Sequence, residues 1–152
     1  MELKQFIQTI RDLKAKNGRQ PEGFHYKSAE DFVLQNGETF NWKPVPDHIQ
    51  MGRQKECFKN AFELAMMDPT LTYCEGYGLH MIPTEHAWVV DQDGNVIDNT
   101  WRDFGDEPPQ YFGVKMPFDF VNDTIISQEH YGVIWGEVCA NVNLMREPWR
   151  KI

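Results

Sequence analysis

Two short apolar runs, Glu85 to Val90 and Asn95 to Trp101, flank Asp91-Gln92-Asp93-Gly94, and this segment constrains the fold more tightly than any other. Alternating strands joined by a Gly-containing turn read as a β-hairpin. A one-residue slip in its register moves every side chain to the opposite face, so the turn type decides which residues meet. With Asp93-Gly94 as a two-residue turn, Asp98 faces Val89 and points away from His86. With Gln92-Asp93-Gly94 as a three-residue loop and Gly94 left-handed, Asp91 pairs with Asn95 and Asp98 faces Trp88. Asp98 then shares a face with His86 as its diagonal neighbour, with Cβ atoms roughly 6 to 8 Å apart. The second register is a favoured hairpin type and is the one expected.

The rest of the chain divides into recognisable elements. Glu2 to Lys16 places Leu3, Phe6, Ile7, Ile10 and Leu13 at helical spacing, with Asn17-Gly18 as the stop. Ser28-Ala29-Glu30-Asp31 opens a short second helix through Phe32, Val33 and Leu34, closed by Asn36-Gly37. Residues 43 to 53 form a loop around Pro44, Pro46 and Gly52. Cys57 then begins a run in which Phe58, Ala61, Phe62, Ala65 and Met66 mark a helix of about three turns, ended by Asp68-Pro69. Leu71 to Leu79 reads as a strand, Tyr111 to Lys115 as another, and Phe118 to Val121 as a helical turn. Tyr131 to Val138 fits either an edge strand or a helix, and the tail from Arg146 is basic.

A chain of 152 residues, 41% hydrophobic, supports one core, so a single domain over residues 1–152 is expected. Its formal charge of -8 repels phosphate backbones and anionic lipid, which argues against nucleic-acid and membrane partners. The apolar runs are far shorter than a membrane span, and Glu2, Lys4 and Gln5 stand where a signal peptide needs apolar residues, so a cytoplasmic location is expected. Three widely spaced cysteines do not read as a disulfide framework. The oligomeric state stays open.

Cys57, His86 and Asp98 are the candidate catalytic residues. At the first turn of a helix, unpaired N–H groups and the positive end of the helix dipole favour thiolate over thiol. His86 is the matching base and Asp98 the group that orients it. The backbone N–H of Cys57 is the natural oxyanion donor, with Gln54 or Asn60 as side-chain candidates. Trp88, Trp101 and Tyr77 are candidates for the walls of a substrate cleft. Two plainer assignments compete. Cys57 can be an inert core thiol on a non-catalytic binding or regulatory module, the reading kept for Cys74 and Cys139. Cys57, Cys74, His80 and His86 also form a zinc set by type, but the close Cys and His pairs of structural zinc sites do not occur. No metal or other cofactor is expected.

Cys57 at the head of its helix, His86-Ala87-Trp88-Val89-Val90, and Asp93-Gly94-Asn95-Val96-Ile97-Asp98-Asn99-Thr100-Trp101 together resemble the transglutaminase-like branch of the papain-like cysteine enzymes. The match spans about residues 54 to 101. Glu56-Cys57-Phe58 departs from the Gly and Trp that transglutaminases usually carry around the nucleophile. The resemblance implies an α+β, papain-like (transglutaminase-core) fold: a Cys-bearing helix packed on an antiparallel sheet of four to six strands, with additional N-terminal helices. It also implies acyl transfer at an amide carbonyl through a thioester, by a cysteine amidase or peptidase or a transglutaminase-like acyltransferase. The substrate is then a protein or small amide, and hydrolysis is favoured over transfer because water is always available.

Overall fold

The computed structural model describes residues 2–18, 22–135 and 141–149. The elements run α1 (Leu3–Asn17), α2 (Ala29–Asn36), β1 (Glu38–Trp42), α3 (Cys57–Met67), β2 (Thr72–Leu79), β3 (Pro83–Val90), β4 (Asn95–Ile97), β5 (Gln110–Met116), α4 (Phe118–Gln128) and α5 (Val142–Met145). Helix α2 starts where the Ser28 hydroxyl accepts a hydrogen bond from the Asp31 N–H at 3.1 Å, which satisfies one of the open donors of its first turn. Helix α4 is longer than the single turn read from Phe118 to Val121. Residues 131–135 form turns and one isolated bridge, neither the strand nor the helix considered for that stretch, and 136–138 lie outside the described residues.

The five strands close on themselves in the order β1-β4-β3-β2-β5. The expectation of a papain-like helix on an antiparallel sheet is therefore corrected: the sheet is a closed barrel with the helices outside it. β1 makes the difference. It pairs antiparallel with β5 through Glu38↔Gly113 and parallel with β4 through Asn41↔Asn95, and so joins the two ends of the sheet. Closure also needs the walls to approach closely. Gly76 on β2 faces Gly113 on β5, and a Cβ on Gly113 would stand 2.6 Å from the Trp88 ring. The first glycine lets β2 and β5 approach, and the second leaves room for the Trp88 indole.

Strand alternation then sorts side chains into two cores. Phe40, Cys74, Trp88, Val90, Val96 and Tyr111 fill the barrel. The opposite faces carry Tyr73, Ala87, Val89, Ile97, Phe112, Val114 and Met116, which pack under the helices with Ile7, Phe32, Val33 and Ala61. Glu75, fully buried on the outer face of β2, accepts hydrogen bonds from the Tyr73 hydroxyl (2.7 Å) and from the N–H groups of Val133 (2.8 Å), Ile134 (2.8 Å) and Trp135 (3.4 Å). This carboxylate ties residues 133–135 to the barrel wall. No helix among the described residues is long and apolar enough to cross a membrane.

Candidate active site

The hairpin has the register with the three-residue loop. Val89 pairs with Ile97 and Val90 with Val96, the Asp91 N–H bonds to the Asn95 carbonyl at 2.9 Å, and Gly94 has φ 80°. Asp98 therefore lies on the same face as His86. β4 stops at Ile97 because the Asp98 side chain turns the backbone: its Oδ1 accepts the N–H groups of Thr100 (2.9 Å) and Trp101 (3.2 Å).

The other oxygen, Asp98 Oδ2, meets His86 Nε2 at 2.6 Å and accepts the Tyr111 hydroxyl at 2.7 Å. All three residues are buried. The carboxylate only accepts, so Nε2 carries the proton and Nδ1 is the ring atom left for the thiol. Burial acts to lower the His86 pKa, but the hydrogen bonds to Asp98 and Cys57 and their charges outweigh it, and the pKa is pushed up to about 9. For Asp98, burial acts upward and is outweighed by His86 and the backbone donors, so its carboxyl is held below the usual carboxylate range. The Tyr111 hydroxyl is raised far above its ordinary value, chiefly by burial and then by Asp98, and keeps its proton.

Two more features define the imidazole's surroundings. The Trp101 ring stacks on it with centroids 3.8 Å apart and planes 16° apart, a geometry that suits a cationic ring. Gly78 makes the space: a Cβ there would lie 2.5 Å from the Trp101 ring. Cys57 is the first residue of α3, which packs on β3. Cys57 and His86 open onto one cavity of about 460 Å³, lined also by Gln54, Lys55, Phe58, Thr84, Glu85, Thr100, Trp101 and Arg102. Four larger cavities, of about 690, 700, 570 and 480 Å³, contain neither Cys57 nor His86.

The remaining sequence candidates divide. Gln54 lines the Cys57 cavity. Asn60 does not: its amide nitrogen donates to the Arg53 carbonyl (2.9 Å) and to Thr100 Oγ1 (2.8 Å), and so ties the loop before α3 to the segment after β4. Of the proposed cleft walls, Trp101 lines the cavity, whereas Trp88 sits deeper in the barrel interior. Tyr77 is on the outer face, its hydroxyl donating to Glu30 at 2.9 Å and its ring against Trp135. Strand parity separates Tyr77 from the site; depth along the barrel separates Trp88. Cys57, Cys74, His80 and His86 do not gather: among the described residues no three His, Cys, Asp or Glu side chains are grouped to hold a metal ion. Cys74 lies inside the barrel, and burial pushes its thiol well up; Cys139 lies outside the described residues.

Sequence reasoning missed Tyr111 and Arg102. Tyr111 begins a strand that was legible, but its partner on β2, Gly78, is fixed by a pairing between distant segments that no local pattern announces. No protein family, characterised protein or solved structure matches this chain.

Proposed function

We propose that the chain is a thiol-dependent acyl-transfer enzyme acting on an amide or peptide bond, with Cys57 as nucleophile, His86 as proton carrier and Asp98 as the group that orients it. One observation carries this assignment: a buried His86–Asp98 pair at 2.6 Å whose ring shares a cavity with a cysteine at a helix N-terminus. The Cys57 sulfur attacks the carbonyl carbon, and the charge formed on oxygen is met by the Cys57 backbone N–H, with Gln54 as the second donor. The C–N bond then breaks as His86 gives its proton to the leaving nitrogen, leaving a thioester. Water attacks the thioester, returns a proton to His86 and releases the acid; an amine in place of water gives a new amide. Hydrolysis is the favoured outcome because water needs no binding site of its own. A reduced thiol at the centre suits a reducing compartment, and the enzyme is taken to be cytoplasmic.

Iodoacetamide at neutral pH, followed by peptide mapping, tests the assignment. Cys57 is expected to be alkylated at least tenfold faster than Cys74, and His86→Ala to remove that advantage. Equal slow labelling of both thiols overturns it and leaves a binding module on this scaffold. Trapping of an acyl group on Cys57 from a panel of peptide and side-chain amides identifies the substrate, with Cys57→Ala as the blank.

A further inference from the structure

Resting on that assignment, we infer that the substrate carries an anionic group, a carboxylate or phosphate, held beside the reacting carbonyl by Arg102 and Lys55. Both residues line the cavity that Cys57 and His86 share. They are unusual in a chain of charge -8, where a cationic wall is not the background condition. Neither is neutralised: the ion pairs among the described residues join Arg11 to Asp12, Lys14 to Glu30, Lys43 to Asp91, Lys59 to Glu63, His86 to Asp98 and Lys115 to Glu38.

Arg102 is also held in place. Its Nη2 donates to the Gly52 carbonyl and its Nε to the Thr100 carbonyl at 3.4 Å. Those anchors are themselves tied down, since the Gly52 N–H bonds to the Asn99 carbonyl at 2.8 Å and Thr100 Oγ1 accepts from Asn60. The guanidinium uses backbone carbonyls as its supports and retains its full charge for a ligand. Lys55, two residues before the nucleophile, has φ 69°, a left-handed backbone that a lysine adopts only against strain. Glu85 is the one acid on the opposite wall. Its carboxylate opposes an anion, and Glu85→Gln removes that opposition.

Iodoacetate and iodoacetamide are similar in size and differ in charge, so their relative rates at Cys57 read the cavity's field. With 2-mercaptoethanol as reference, the iodoacetate-to-iodoacetamide ratio at Cys57 is expected to be at least tenfold higher. Part of that comes from His86, so variants isolate the rest. Lys55→Gln with Arg102→Gln should lower the ratio about fivefold, Arg102→Lys should restore most of it, and Glu85→Gln should raise it. A ratio unchanged in the double variant overturns the inference. Should the double variant not fold, Lys55→Gln alone decides by the same criterion, with a twofold fall expected. Selective labelling by iodoacetamide without any charge preference sinks only the anionic substrate; failure of both reagents to select Cys57 sinks the thiol enzyme as well.

Discussion

The Asp98 carboxylate takes four hydrogen bonds, from His86, Tyr111, Thr100 and Trp101, and nearly all of the site's electrostatics follow from it. The folded-state pKa of His86 is raised, so its ionic contribution to stability is fully present below the ordinary imidazole value of 6.5 and is lost as pH rises through about 9. Asp98→Asn removes that contribution. The stability gap between the native chain and this variant should narrow by about 2–3 kcal/mol between pH 6 and pH 9.5 in urea denaturation. The alkaline limb of the proposed acyl transfer should also move from near pH 9 towards the ordinary imidazole range. Tyr111→Phe keeps the ring in the barrel and deletes one donor to the same oxygen. It should cost about 2 kcal/mol in thermal denaturation and slow the proposed acyl transfer roughly tenfold, because the imidazole loses part of what holds its partner still.

At the scale of elements, close approach between strands matters more than strand propensity. Gly113→Ala would set a methyl 2.6 Å from both the Glu75 carbonyl and the Trp88 ring, and should destabilise by roughly 3 kcal/mol or more. Gly94→Ala meets open space and faces only the strain of φ 80°, so about 1 kcal/mol is expected. Melting temperatures of the two variants should differ accordingly. Glu75→Gln replaces an oxygen acceptor by an amide that turns N–H towards N–H. Faster amide exchange at residues 133–135 should follow, at a cost of about 2 kcal/mol. The hairpin was legible because its register depends on residues close in sequence: Gly94 permits one turn, and parity places Asp98. The start of α3 at Cys57 was legible for the same reason. β1 was not recognised, although Phe40 and Trp42 alternate in it, because its five residues acquire meaning only through β4 and β5. Asn60 stood one turn from Cys57 in sequence, but the competing acceptors that draw its amide away belong to Arg53 and Thr100.

For the molecule as a whole, the error in the expected architecture and the success of the expected pairing have one cause. Bringing Cys57, His86 and Asp98 together needs a helix end and two adjacent strands, which many sheets supply; whether that sheet stays open depends on what its outer edges find. Here they find β1. That closure has a kinetic consequence. β1 leaves the chain early and waits for β4 and β5, which follow long after it, so the last contacts to form span large loops. Tyr111 comes from the late-arriving β5, and it shares an oxygen with the histidine's partner. The imidazole is thus fully braced only in chains whose β5 has joined β2. In a refolding time course, the appearance of a fast-reacting sulfur should lag behind helix formation and coincide with the burial of Trp88, which makes the chemistry a clock for the final step of assembly.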